Sequence, residues 1–301
     1  MALDLTPIHA YDTLELRARG LVEGFITGLH KSPYHGFSIE FAEHKAYNPG
    51  DSLRHVDWKL YARTDRLYSR RYEEETNLRA VLALDVSGSM YYPRPGHEKL
   101  QFSVLAAACL AWMLHRQRDA VGLACFDTQL RQQTRLRSTA QHVQGLFTLL
   151  NQWASAPPPP PGPTDVAAAL HTLADSLGQR ALVVIFSDML QTAQADNIMA
   201  ALQHLRHNKH EVLIFHTLHA PSELLLNVPD RPTRLIDPET GQTLDINPAD
   251  LRQRYRAAAA DGRHQLRLRC AANRIDFIEA DVNQGVKPIL QAYLAKRARL
   301  G

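Results

Sequence analysis

Cysteine is scarce in this chain. There are three in 301 residues, Cys109, Cys125 and Cys270, far apart and odd in number. That spacing excludes a disulfide framework and a cysteine-rich metal site. Cys109 and Cys125 sit inside apolar runs, where a free thiol behaves as a small core residue. A reducing compartment is therefore expected, and the cytoplasm is the natural one. The opening stretch, residues 1–16, lacks the basic start and apolar core of a signal peptide. Long apolar runs are lacking too. Phe102 to Leu114 is too short to span a bilayer and is flanked by charge, so membrane insertion is not expected. Nor is there an excess of one charge: 34 Lys and Arg against 31 Asp and Glu leave +3, well short of the basic surplus of a dedicated nucleic-acid binder. No G-x-x-x-x-G-K loop is present, so the chain is not expected to hydrolyse nucleotide itself.

What is present suits one large α/β domain with a smaller attachment. Leu14, Leu16, Leu21, Phe25 and Ile26 recur at helical spacing and mark a helix from Asp12 to Leu29. Phe37, Ile39 and Phe41 then alternate with polar residues, as a half-buried strand does, and Pro49-Gly50-Asp51 marks a turn. A further strand is expected around Leu67 to Tyr72. The division that follows is a helical segment at 1–30, a small β-rich domain at 31–78 and an α/β domain at 79–301. Five short apolar runs recur in that last part, at 80–85, 121–127, 181–188, 211–218 and 275–282. Runs without polar alternation suit strands covered by helices on both faces. The intervening segments read as helices, among them Glu98 to Arg118, Thr139 to Trp153, Val166 to Leu177, Asp196 to His207 and Pro248 to Asn273. Strand–helix alternation of this kind implies a doubly wound, mostly parallel sheet. Leu130 to Leu136 suits an extra edge strand. Residues 234–246, within an insertion at 233–247, read as a β-hairpin around Pro238-Glu239-Thr240-Gly241.

In such a sheet ligands bind beyond the carboxyl ends of the strands. The first run ends on Asp85-Val86-Ser87-Gly88-Ser89 and the third on Ser187-Asp188, while Thr164 stands at the start of a helix between them. Asp85 and Asp188 supply charge; Ser87, Ser89 and Thr164 supply neutral oxygen. That donor set is what a hard cation such as Mg²⁺ takes, with Mn²⁺ and Ca²⁺ as the other candidates. Two carboxylates about 4 Å apart repel by roughly 4 kcal/mol at an effective dielectric near 20. A cation turns that repulsion into attraction. The competing explanation, helix capping by Asp and Ser, accounts for each residue singly but not for the ordered set.

Asp85-Val86-Ser87-Gly88-Ser89, Thr164 and Asp188 resemble the metal-ion-dependent adhesion site of von Willebrand factor A domains, over about Arg79 to Leu300. The resemblance implies a Rossmann-type fold. It also implies metal contact by Ser87, Ser89 and Thr164, and by Asp85 and Asp188 directly or through water. Upstream, Glu40-Phe41, Tyr47-Asn48-Pro49-Gly50-Asp51, Arg54, Asp57-Trp58 and Ala62-Arg63 resemble the signature of the bacterial "domain of unknown function 58" proteins, as does the DPETG hairpin. This resemblance implies a short member of that family without its transmembrane helices, paired with a MoxR-type AAA+ ATPase.

Other signals are weaker. Arg54, Lys59, Arg63, Arg66, Arg70 and Arg71 interleave with Trp58, Tyr61, Tyr68 and Tyr72, a pattern that can bind nucleic acid. Glu73, Glu74 and Glu75 follow at once, which favours pairing across strands. His204, His207 and His210 are spaced by three, but a solvated face explains them better than zinc. The expectation is thus a non-enzymatic, metal-dependent binding module, an adaptor or co-chaperone of the ATPase that engages an acidic residue of that ATPase or its client. The alternatives are a metal-dependent hydrolase or phosphatase, for which His97 is the nearest candidate base, and a nucleic-acid scaffold.

Overall fold

The computed structural model describes residues 13–30, 44–46, 68–70, 78–160, 162, 165–178, 180–189, 195–237 and 240–298. These residues fall into two units. One runs up to Phe25 and resumes at Leu78; the other lies between them, from Ile26 to Asn77.

In the smaller unit two strands are described. β1 (His44–Ala46) pairs antiparallel with β2 (Tyr68–Arg70), with His44 opposite Arg70. β2 falls inside the strand expected at Leu67 to Tyr72. The strand expected at Phe37 to Phe41, the Pro49-Gly50-Asp51 turn and the stretch from Arg54 to Arg66 lie outside the described residues.

The larger unit is α/β, with a mostly parallel central sheet. Its strands are β3 (Arg79–Asp85), β4 (Ala120–Phe126), β5 (Leu130–Gln133), β6 (Leu182–Ser187), β7 (Glu211–Leu218) and, after a separate hairpin of β8 (Thr233–Ile236) with β9 (Thr243–Ile246), β10 (Asp276–Asp281). The order across the sheet is β10-β7-β6-β3-β4-β5, all parallel except β5. β5 covers the first half of the expected edge strand. It meets β4 through a bulge at Cys125/Phe126. Beyond it, the chain crowds Gly122, where a Cβ would lie 2.6 Å from a Leu136 methyl.

The helices are α1 (Leu14–His30), α2 (Glu98–Arg116), α3 (Ala140–Ala154), α4 (Val166–Ser176), α5 (Ala195–His207), the single turn α6 (Ala220–Glu223), α7 (Pro248–Ala272) and α8 (Lys287–Arg297). The uniform apolarity of the strands has its reason here. Val81, Ala83, Val183, Ile185, Val212 and Ile214 share one buried cluster with α4 and α5. The alternate residues Leu82, Leu84, Val184, Phe186, Leu213 and Phe215 face the other way, toward the side on which α2 packs, and are buried as well. α2 buries most of the stretch from Leu100 to Leu114, with Gln101 exposed. Among the described residues no helix is long and apolar enough to cross a membrane.

From β3 the chain moves outward to β4 and β5, then returns to place β6, β7 and β10 on the other side of β3. The order therefore reverses between β3 and β6. At such a point neighbouring connections leave in opposite directions and open a crevice at the carboxyl ends.

Candidate metal centre

Asp85 ends β3 and Ser187 ends β6, with Asp188 next. These two adjacent strands flank the reversal point, so local sequence and topology bring both carboxylates to one crevice. Both are buried. Beyond Asp85, Ser87 is extended (φ −65°, ψ 165°) and leads into a 3-10 turn over Gly88–Tyr91. That step brings the Ser87 and Ser89 hydroxyls to 3.1 Å from each other, both buried. Met189, just after Asp188, is left-handed (φ 47°), so the chain turns sharply off the strand there.

Asp85 is held at both oxygens. Its Oδ1 accepts the Ser87 amide at 2.9 Å and its Oδ2 accepts the Ser187 hydroxyl at 2.6 Å. Ser187 Oγ in turn accepts the Met189 amide at 3.1 Å. Burial pushes the Asp85 carboxyl up, and the negative charge of Asp188 pushes it further, to about 7; the hydrogen bonds from Ser187 and Ser87 oppose the rise. The Asp85 carboxyl therefore resists ionisation.

One cation is already built in. Lys99, on the first turn of α2, places its Nζ 2.7 Å from Asp188 Oδ2 and 2.6 Å from Glu223 Oε1. Burial alone would lower this ammonium, but Asp188 and Glu223 outweigh it and raise its pKa above the usual lysine value. His216, on β7, donates Nε2–H to the Asp188 carbonyl at 2.8 Å. A carbonyl can only accept, so Nε2 carries the proton. Burial lowers the pKa of this imidazole, which outweighs the nearby Asp188 charge.

Of the five residues singled out from the sequence, Asp85, Ser87, Ser89 and Asp188 converge at this edge. Thr164 lies outside the described residues. Its neighbour Asp165 caps α4 by accepting the Ala168 amide at 3.0 Å. His97 packs edge-on against the Tyr91 ring. His204 meets His171 at 3.0 Å, while His210 is buried and accepts the Ala181 amide, so the histidine triplet does not act together. Sequence reasoning missed Ser187 as the group that orients Asp85, and missed Lys99, Glu223 and His216 altogether. Lys99 did carry a signal: a lone cation directly before the apolar helix stretch that begins at Leu100 and Phe102. Glu223 carried none, because its place depends on how the chain leaves β7.

Among the described residues no group of three or more His, Cys, Asp or Glu is placed to hold a metal. A cation at this edge has to rest on the two carboxylates and on hydroxyls. That set fits a hard ion: buried oxygen donors only, with an acid pair that gains from added positive charge.

The chain is 30% identical over 254 residues to the uncharacterized protein Mb1516 of Mycobacterium bovis, covering 83% of this chain and 77% of that one. The uncharacterized protein Rv1480 of Mycobacterium tuberculosis matches to the same extent. Among solved structures it is similar to the conserved hypothetical protein BatB of Bacteroides thetaiotaomicron, at 14% identity and a TM-score of 0.45, over 74% of this chain and 99% of that one. An aerotolerance-related membrane protein of Bacteroides fragilis is similar at 16% identity and a TM-score of 0.42, over 70% and 99%. Residues 43–265 match the family described as "Protein of unknown function DUF58", and the chain belongs to that family.

Proposed function

We propose that the larger unit is a von Willebrand factor A-type domain whose metal-ion-dependent adhesion site takes one Mg²⁺ (or Mn²⁺, or Ca²⁺) and through it an acidic residue of a protein partner. The observation that carries this reading is the meeting of Asp85, Ser87, Ser89 and Asp188, all buried, where the strand order reverses. Asp85, Ser87, Ser89 and Asp188 would hold the ion, with Thr164 as the fifth donor. The ion would supply a coordination position that an incoming carboxylate can fill. The chain's own residues orient the donors: Ser187 and the Ser87 amide fix Asp85, while the His216 hydrogen bond to its carbonyl and the turn at Met189 place Asp188.

A binding role suits the hydroxyls better than catalysis does. Ser87 and Ser89 are paired with each other, and among the described residues neither is hydrogen-bonded to an imidazole that could serve as general base. The family resemblance supplies the partner, a MoxR-type AAA+ ATPase or a client presented to it, which this chain serves in the cytoplasm as adaptor or co-chaperone.

The test is calorimetric titration of the full chain with Mg²⁺ and Mn²⁺, together with thermal melts. An ion at about one hundred times its Kd stabilises by ~2.7 kcal/mol and raises Tm accordingly. Asp85→Ala abolishes the shift. Binding of the cognate ATPase is lost in chelator, is restored by Mg²⁺ or Mn²⁺, and is weakened by Thr164→Ala. No divalent binding at millimolar ion rejects the site; equal ATPase affinity in chelator and in metal rejects the docking role.

A further inference from the structure

Lys99 is the only lysine or arginine among the described residues that is fully buried. A buried ammonium is tolerated only where carboxylates face it, and this one has two. Asp188 belongs to the candidate metal centre. Glu223 lies outside it, on α6, where the chain leaves β7. The second oxygen of Glu223 accepts the His219 amide at 2.6 Å, so the carboxylate that seats the ammonium also shapes the start of this turn.

From Glu223 the contacts continue outward. Tyr255 of α7 donates its hydroxyl to the Glu223 carbonyl at 3.0 Å, and Arg256 donates to the Leu225 carbonyl at 2.9 Å. Arg252 donates to the carbonyls of Leu226 and Val228 and to the Asp230 carboxylate at 2.6 Å. The segment from His219 to Asp230 is thus a strap, tied inward to Lys99 and outward to α7.

We infer that Lys99 is the resident counter-ion of the metal centre, that it competes with a divalent ion for Asp188, and that Glu223 is the second seat on which the ammonium settles when the ion binds. Site occupancy is thereby relayed to the strap. This rests on the metal-site reading above. The physical basis is that an ammonium and a divalent cation sharing one carboxylate repel each other. Glu223 already holds the ammonium at hydrogen-bond distance and lets it yield Asp188 without becoming an unpaired buried charge.

The competition has a sign that a purely structural role lacks. Lys99→Met removes the rival cation and leaves the two site carboxylates unrelieved. Mn²⁺ affinity, by titration calorimetry on the full chain, is expected to rise about tenfold or more. Glu223→Gln removes the second seat, commits the ammonium to Asp188 and is expected to weaken Mn²⁺ by roughly threefold to tenfold. In wild type, Mg²⁺ changes hydrogen-exchange protection of amides between His219 and Val228; in Glu223→Gln it does not. Affinity changes of the same sign in both variants, or none in either, overturn the inference while leaving the metal site standing. Glu223→Gln keeps the test decisive if Lys99→Met does not fold, because it preserves shape at a partly exposed position; unchanged Mn²⁺ affinity there suffices to overturn it. If wild type takes no Mn²⁺ but Lys99→Met does, the metal-site reading fails for the native chain and the competition stands. If neither binds, both fall.

Discussion

Two ion pairs in this protein have nearly the same geometry and opposite surroundings. Lys99 and Asp188 meet at 2.7 Å with side chains 0% and 5% exposed. Arg234 and Asp245, across the β8–β9 hairpin, meet at 2.8 Å with side chains 64% and 70% exposed. At the hairpin water solvates both charges whether or not they touch, so the contact adds little. At the carboxyl edge of the sheet the protein has replaced water, and every charge must be answered by another. The same contrast holds for whole elements. α2 buries most of its residues, while α7, although longer, buries only Pro248 and Cys270. α7 carries many arginines at its surface, where solvent shares them with partners such as the strap carbonyls and Glu279; α2 carries one inward lysine because two carboxylates wait for it. A charge in the first region is therefore fixed by its partners, while one at the hairpin is held mostly by solvent.

The contrast can be sharpened by substitution. The largest effect is expected in the interior beside the site. Phe186 is fully buried and stacks on Phe215 with ring centroids 5.3 Å apart. Phe186→Ala should cost about 3–5 kcal/mol, read as a lower denaturant midpoint with an unchanged slope. A loss below about 1 kcal/mol would mean that this layer is loosely packed.

A smaller effect is expected from His210. This imidazole is buried, its Nδ1 accepts the Ala181 amide at 3.2 Å, and burial lowers its pKa below the ordinary 6.5. Below that value the unfolded chain takes up the proton and the folded chain resists it. Its contribution is present above pH 6.5 and is lost as pH falls through the depressed folded value. His210→Asn keeps an acceptor for Ala181 but does not titrate. Urea midpoints measured at about pH 8 and about pH 5.5 should therefore differ less in the variant than in wild type. An unchanged difference assigns the acid sensitivity to other groups.

The smallest effect is expected at the hairpin. Arg234→Ala should leave Tm unchanged within error, since solvent replaces the lost partner. A clear drop in Tm would show that the hairpin pair is shielded in solution and would break the comparison.

The sequence by itself determined the layered α/β plan. Apolar runs without alternation must be covered on two faces, and the runs read at 80–85, 121–127, 181–188, 211–218 and 275–282 coincide with β3, β4, β6, β7 and β10 to within a residue at most ends. The hairpin was legible locally too, because between two strand-like stretches Pro fixes φ and Gly permits the positive φ found at Gly241 (71°). Strand-end donors were legible as well: a parallel sheet sends all its carboxyl ends to one edge, so Asp85, Ser87, Ser89 and Asp188 were bound to lie on the same side. Tertiary structure alone decided the rest. That β3 and β6 are neighbours, that Ser187 turns its hydroxyl to Asp85, and that Lys99 bridges Asp188 to Glu223 across 89 and 124 positions of sequence are all consequences of packing. Local periodicity and capping reach only a few residues along the chain. Which charges share a buried crevice is set by the order of strands and the docking of α2, where the cost of burying a charge leaves only paired arrangements.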